Sequence, residues 1–168
     1  GIATVTTADV SVDNGTIHAV DTVIGLPTVV TFAVADPNFS ILKTALTRSD
    51  LTFDFVATLS TANGTTPAPF TVFAPTNDAF VDLLAELNVA SLDAIDEPTL
   101  KGTLEMHAVA GANVLAAGLS DGMTIGTLGG DITANITDGA TLTDANNRVS
   151  AIIATDIQAS NGVIHAIR

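Results

Sequence analysis

The stretch Phe70-Thr71-Val72-Phe73-Ala74-Pro75-Thr76-Asn77-Asp78-Ala79-Phe80 decides the fold of this chain. Its first five residues are apolar or β-branched, which predicts a buried strand, and Pro75 ends that strand because proline lacks a backbone donor. Thr76 or Asn77 can cap a helix, and Asp78 lies where a helix N-terminus favours negative charge. Phe80 and the leucines after it recur at helical spacing. The stretch therefore predicts a strand, a sharp turn and an amphipathic helix, with the core around them.

The composition describes a folded module and disfavours nucleic acid and membranes as partners. The chain has 168 residues, 47% of them hydrophobic, and a mean hydropathy of +0.49, which is enough for one good core. Its net charge is −13, and its five basic residues are scattered, so no patch for phosphate binding forms along the sequence. Because no apolar run reaches the roughly 18 residues of a membrane span, membrane insertion is not expected.

The beginning of the chain repeats its end. Residues 9–20 align with residues 156–167 at a constant offset of 147 residues (161 − 14), about one module length. Each copy predicts two strands joined at an Asn-Gly pair in a primed turn with positive φ. The pairs are Asn14-Gly15 and Asn161-Gly162.

This repeat defines two predicted segments. We interpret residues 1–25 as the C-terminal hairpin of a preceding module, or as a linker, and residues 26–168 as one domain. Two nearly equivalent hairpins then exist for one complete module. Because a lone hairpin is marginal in water, we expect residues 1–24 to dock on a sheet edge, either of their own chain or of a neighbouring molecule.

Helical patterns precede strand patterns within the predicted domain. Asp36-Pro37 and Asp96-Glu97-Pro98 are helix starts, with an acidic cap and proline in the first turn. From Met123 onward, short segments rich in Thr, Ile and Val alternate with turn signals, as in antiparallel strands. The sequence therefore predicts an α+β fold.

Three motifs, in this order, resemble those of the fasciclin (FAS1) domain family. Thr71 to Phe80 is similar to the family's first signature block, and residues 161–167 are similar to its closing strand. Between them, Met106-His107 stands where the family usually has a Tyr-His pair. The resemblance implies a β-sandwich or wedge of mostly antiparallel strands with several short helices packed along it. The motif residues, expected to be mostly structural, are Thr71, Phe73, Pro75, Thr76, Asn77, Asp78, Phe80, His107, Asn161, Gly162 and His165.

The same resemblance implies a function. It indicates a non-enzymatic adhesion or interaction module of a multi-domain surface or matrix protein that is secreted or displayed on the cell surface. Its partners would be protein or carbohydrate on a cell surface or matrix and neighbouring FAS1 modules, with a strand-exchanged dimer through residues 1–24 as a further expectation. Met106 lacks the phenol of the Tyr-His pair that has been linked to integrin recognition in animal members. This departure favours a packing role for Met106.

Two alternatives stay open beside the adhesion module. A groove between helices and sheet would suit a small apolar ligand such as a lipid. Gly118-Leu-Ser120-Asp-Gly122 matches the nucleophile elbow of esterase-like hydrolases, and Asp156 and His165 follow in the hydrolase order. The elbow, however, needs a strand before the serine and a helix after it, whereas the order predicted here is the reverse. We therefore expect no catalytic residue.

No metal or cofactor is expected. His107 and His165 are the histidines of the predicted domain, too few for a zinc site without carboxylate ligands, and each is predicted to be a hydrogen-bonded histidine in or near the core. The oxygen-rich turns at Asp138-Gly139 and at residues 144–147 are the places where calcium would bind, but neither matches an EF-hand loop.

Overall fold

The structure is a computed structural model that describes residues 3–23 and 25–168. The helices are α1 (Val29–Ala35), α2 (Ser40–Leu46), α3 (Phe55–Leu59), α4 (Asn77–Glu86) and α5 (Glu97–Glu105), with short 3-10 turns at Pro37–Phe39, Leu92–Ala94 and Ala116–Gly118. The strands are β1 (Val5–Val12), β2 (Gly15–Val20), β3 (Phe70–Pro75), β4 (Ala108–Ala110), β5 (Met123–Gly126), β6 (Asp131–Asn135), β7 (Thr141–Thr143), β8 (Val149–Ala159) and β9 (Gly162–Ile167). The predicted α+β class is confirmed.

Strands β3 to β9 form one seven-stranded sheet in the order β4-β3-β9-β8-β7-β6-β5. Strand β9 lies beside β3 in parallel, and Phe73 is paired with His165. The other pairs in this sheet are antiparallel. The first signature stretch and the closing strand, far apart in sequence, are therefore neighbours at the centre of the fold.

Two hydrophobic clusters lie on opposite faces of β3. Phe70 and Ala74 point into the larger cluster, which the helices cover, whereas Phe73 points into the smaller one, which strands β5 to β7 cover. This alternation follows from the two-residue period of a strand. The core therefore forms around the stretch that the sequence singled out, and both Phe73 and Phe80 are almost completely buried.

The predicted primed turn at Asn161-Gly162 is wrong. The turn residues are Ser160 and Asn161, while Gly162 is already the first residue of β9, and none of the three has positive φ. Gly162 is needed for a different reason, because a β-carbon at this position would overlap the carbonyl oxygen of Phe70. Positive φ occurs instead at Asp156, at +57°, inside an irregular part of the β8–β9 ladder.

The N-terminal hairpin forms a two-stranded sheet of its own, β1–β2. Within residues 3–23 and 25–168, it makes no strand pair with the seven-stranded sheet, and every residue of β1 and β2 is exposed. The expectation that it docks on a sheet edge of its own chain is therefore not met. The body of the domain is tied to the segment after the hairpin, since the amide of Ser160 donates to the carbonyl of Pro27 at 2.8 Å.

Candidate functional site

Three motif residues meet where β3 and β9 face the loop of residues 112–116. The hydroxyl of Thr71 donates to the carbonyl of Ala112 at 2.9 Å and accepts from the amide of Val114 at 2.8 Å. His165 Nε2 binds the carbonyl of Val114 at 2.8 Å, and its ring stacks on Phe73 with centroids 5.5 Å apart. These contacts fasten the loop to the centre of the sheet.

The hydrogen bonds of His165 determine which ring nitrogen carries its proton. The backbone amide of Asp156 donates to Nδ1 at 3.4 Å, so Nδ1 is an acceptor and Nε2 holds the proton that goes to Val114. Because both nitrogens are used and the residue is fully buried, His165 has no free position for proton transfer. This is the hydrogen-bonded core histidine that the sequence predicted.

Asn161 connects the closing hairpin to the helical layer. Its side-chain oxygen accepts from the amide of Val29 at 3.0 Å, and its amide nitrogen donates to the carbonyls of Leu59 and Thr61, each at 2.8 Å. The residue is 1% exposed, so these bonds are sheltered from water. Asn161 therefore holds α1 and the segment after α3 against the tip of the hairpin.

The residues after Pro75 connect α4 to its surroundings. Thr76 is the N-cap of α4, but its hydroxyl donates to the carbonyl of Ile167 at 3.2 Å rather than to the helix. Asn77 accepts from the amide of Ile41 at 3.0 Å and donates to the carbonyl of Pro37 at 3.0 Å, which links α4 to α2. Asp78 remains exposed in the first turn of α4, 3.6 Å from a guanidinium nitrogen of Arg168.

A groove of about 230 Å³ lies between α4, the end of α5 and strands β6 to β8. The motif residues Phe73, Pro75, Phe80 and His107 line it. The apolar part of its wall is completed by Ala79, Leu83, Leu104, Met106, Ile132, Leu142, Val149 and Ile167. Its charged side chains are Asp82, Glu86, Asp144, Arg148 and Arg168. The walls of this groove come from segments far apart in the chain, so its residues could not be predicted from the sequence. From the sequence, a groove between helices and sheet is expected only because binding of a small apolar ligand would need one.

His107 lines this groove, and its hydrogen bond determines which of its ring nitrogens carries a proton. Its Nδ1 lies 2.6 Å from the carbonyl of Thr103, so Nδ1 carries the proton and Nε2 is left as an acceptor. Desolvation lowers the pKa of His107 below its ordinary value of 6.5, with a further lowering from the charge of Arg148, while the bond to Thr103 opposes both. Beside it, Met106 packs against the smaller core cluster.

Both arginines that line the groove already lie beside carboxylates: Arg168 beside Asp78, as described above, and Arg148 beside two acidic side chains. Arg148 Nε lies 2.6 Å from a carboxylate oxygen of Asp144, and a second nitrogen of Arg148 lies 3.5 Å from Glu86. The Asp144 carboxylate also accepts from the amides of Asn146 and Arg148, each at 2.9 Å. These bonds close the turn at residues 144–147, where the sequence had offered oxygen ligands for calcium.

The hydrolase alternative lacks the geometry it requires. A 3-10 turn, Ala116–Gly118, precedes the exposed Ser120, and strand β5 follows it, so the strand-turn-helix order of a nucleophile elbow is absent from this segment. Asp156 accepts from the backbone amide of Ala116 at 2.8 Å, and both nitrogens of His165 are occupied by backbone groups. His165 therefore has no free nitrogen with which to activate Ser120, and the carboxylate of Asp156 binds the backbone of Ala116.

Within the described residues, no group of three or more His, Asp or Glu side chains is arranged to hold a metal ion. In the same part of the chain, none of the helices has the length and apolar character needed to cross a membrane.

Comparisons with known proteins agree on the fold. The sequence model of the Fasciclin domain matches residues 37–168. Two proteins of Synechocystis sp. are similar to this chain. Protein sll1483 is 36% identical over 140 residues, which are 83% of this chain and 70% of that protein. The uncharacterized protein sll1735 is 36% identical over 143 residues, which are 84% of this chain and 95% of that protein.

One solved structure extends the similarity over nearly the whole chain. It is a FAS1 domain pair from the insect cell adhesion molecule fasciclin I, which matches with a TM-score of 0.64 and 22% identity. The match covers 98% of this chain, and the chain spans 58% of that domain pair. The predicted β-sandwich or wedge with helices packed along it is thereby confirmed.

Proposed function

Because this chain belongs to the fasciclin domain family, we propose that it is a non-enzymatic adhesion and interaction module of an extracellular multi-domain surface or matrix protein. One observation supports the non-enzymatic part. The buried polar residues of the described chain are Thr71, Asn161 and His165, and each uses its side chain to bind backbone groups inside the module. Because backbone groups already occupy the polar atoms of these three side chains, none of the three is available to activate a substrate.

We propose protein or carbohydrate on a cell surface or matrix as the partner. The surface that such a partner meets is acidic, because the chain carries a net charge of −13. Because like charges repel at close range, a neutral polysaccharide or a basic protein segment suits this surface better than an acidic polysaccharide or protein does.

Microspheres coated with the folded chain test the proposal. Their retention is measured on surfaces that each carry one matrix polysaccharide or one matrix protein. Microspheres coated with an unrelated folded protein of similar net charge are the control for non-specific electrostatic attachment. Retention above this control on at least one surface supports adhesion, and retention equal to the control on all of them contradicts it. Ester hydrolysis that disappears in Ser120→Ala would contradict the non-enzymatic part.

A second candidate function is binding of a small apolar ligand such as a fatty acid, and the groove supports it. A volume of about 230 Å³ with a mostly apolar wall accommodates part of an acyl chain. His107 Nε2, an acceptor without a described protein partner, is one of the polar groups on this wall and could fix a ligand's orientation by accepting a hydrogen bond from a protonated carboxyl group.

Fluorescence of cis-parinaric acid tests this candidate. Leu83 lines the groove from α4, so Leu83→Trp fills the groove and is expected to abolish an increase in probe fluorescence seen with the unmodified chain. Val81, on the same helix, is 57% exposed and does not line the groove, so Val81→Trp is the matched control. Equal fluorescence from both variants would place the probe elsewhere, and no increase with the unmodified chain would end this candidate.

A further inference from the structure

The N-terminal hairpin β1–β2 reproduces the geometry of the closing hairpin β8–β9. Both ladders have the same register once the offset of 147 residues (161 − 14) is applied, and both are irregular at equivalent places. The equivalent pairs are Val5–Val20 with Ile152–Ile167, Thr7–Ala19 with Ala154–Ala166, Val10–Ile17 with Ile157–Ile164, Ser11–Thr16 with Gln158–Val163, and Val12–Gly15 with Ala159–Gly162. The repeat is therefore structural as well as sequential.

An unusual backbone conformation is shared as well. Asp9 and Asp156 both have a φ of +57°, which residues other than glycine adopt only rarely. In each hairpin the amide of this aspartate donates to Nδ1 of the equivalent histidine, at 3.2 Å for His18 and 3.4 Å for His165. Each hairpin therefore orients its histidine in the same way, with Nε2 pointing away from the aspartate's amide.

In β8–β9 the rest of the domain satisfies the groups that this geometry presents. We call the receiving surface the hairpin slot. It consists of the edge of β3, the carbonyl of Val114, the amide of Ala116, and the Asn161 partners at Val29, Leu59 and Thr61. As a result, every residue of β9 is buried.

In β1–β2 the same groups have no such surroundings. Within the described residues, β2 pairs with β1 alone, and the side chain of Asn14 and Nε2 of His18 form no hydrogen bond. The carboxylate of Asp9 lies 3.9 Å from Nδ1 of His18, whereas that of Asp156 accepts from the amide of Ala116. Five apolar side chains of this hairpin are 39–53% exposed: Val5, Val10, Val12, Ile17 and Val20.

We infer that β1–β2 is the closing hairpin of a second fasciclin body, that of a preceding module, and occupies its hairpin slot. The partner would supply a strand equivalent to β3, parallel to β2, and a loop equivalent to residues 112–116 for His18 and Asp9. The offset equals one module length, which places this hairpin where a preceding module would end. The solved domain pair is in line with this origin of the hairpin, since its match covers 98% of the chain and so includes residues before 37, where the match to the Fasciclin domain model starts.

This inference rests on the proposed multi-domain arrangement but not on adhesion, and its tests need no adhesion partner. A chain whose residues 152–167 are replaced by the sequence of residues 5–20 asks directly whether the first hairpin fits a fasciclin slot. We expect this chain to melt cooperatively. In it the glycine of the first hairpin, Gly15, occupies position 162 against Phe70, so a further Gly162→Val substitution should abolish the cooperative transition. A replaced chain that does not fold would overturn the inference.

Hydrogen exchange on two variants provides a second test. Gly162→Val opens the slot, and we expect the amides of β2 to become protected as the first hairpin enters it, in the same or another molecule. Gly15→Val/Gly162→Val should lose that protection, because a β-carbon at Gly15 is tolerated only while the hairpin is free. Unprotected β2 amides in a folded Gly162→Val chain would overturn the inference. A dimer of the unmodified chain with protected β2 amides would assign the hairpin to a second copy and overturn the assignment to a preceding module.

Discussion

At the scale of single residues, the polar motif residues act by joining segments that are distant in the chain. Thr71, Asn161 and His165 are buried, and their side chains bind backbone groups of loops and helices rather than one another. Buried polar groups that lose a partner cost more than the partnered bond contributes, so such residues specify one arrangement of the loops. The sequence showed that these residues belong to a motif, but it contained no signal for their partners.

Gly162 and Gly15 offer a matched comparison. Gly162→Ala is expected to lower the free energy of unfolding by about 1–3 kcal/mol or more, because the added carbon overlaps the Phe70 carbonyl oxygen. Gly15→Ala has open space around it and is expected to change that free energy by less than about 0.5 kcal/mol. Urea denaturation of both variants measures the difference, and equal losses would contradict the close approach of β9 to β3.

His107 is expected to make stability depend on pH. Its pKa in the folded chain is below the ordinary value of 6.5, so below about pH 6.5 the unfolded chain binds a proton that the folded chain does not. Stability therefore falls as pH decreases from about 6.5, by at most about 1.4 kcal/mol per pH unit, and stops falling once the pH passes the folded pKa. Urea denaturation at several pH values should show this slope in the unmodified chain and a smaller one in His107→Gln. An equal slope in both chains would mean that a group other than His107 causes the pH dependence of stability.

At the scale of elements, the local pattern predicted β3, α4 and α5 well and the pairing of strands poorly. Phe70 to Phe80 carries its own strand, turn and helix signals, so its structure follows from neighbouring residues. The parallel pairing of β3 with β9 brings distant segments together and depends on the packing of both faces, which no local window contains. The turn prediction is wrong because Gly162 belongs to β9, where its lack of a side chain leaves room for the backbone of Phe70.

Strand β3 contributes side chains to both hydrophobic clusters and helix α4 to the larger one, so large side chains of this stretch are expected to be important for stability. Phe73→Ala removes a ring that is 1% exposed and stacked on His165, and should cost about 3–5 kcal/mol of unfolding free energy. Val81→Ala, on the exposed face of α4, should cost much less. Chemical denaturation of both variants tests this, and a cost for Phe73→Ala as small as that for Val81→Ala would remove the organising role of the stretch.

At the scale of the whole molecule, the hairpin and the domain are separable in the described chain. No strand pair or hydrogen bond joins residues 3–23 to residues 25–168. Deleting residues 1–24 is therefore expected to leave the free energy of unfolding unchanged within about 0.5 kcal/mol. Thermal and urea denaturation of the shortened chain provide the measurement. A loss of several kcal/mol would make the hairpin part of this domain and the predicted boundary at residue 26 wrong.

The central position of β9 has a consequence for synthesis on the ribosome. Strand β9 lies between β3 and β8, so the seven-stranded sheet stays divided until residues 162–167 have been translated. A nascent domain at that stage exposes an incomplete edge of β3, and β1–β2, which carries the same pattern, has already been translated. If a preceding domain has folded around β1–β2 by then, the hairpin is no longer free to insert wrongly. Completing one domain before the next therefore protects an array of such modules from exchange between neighbours.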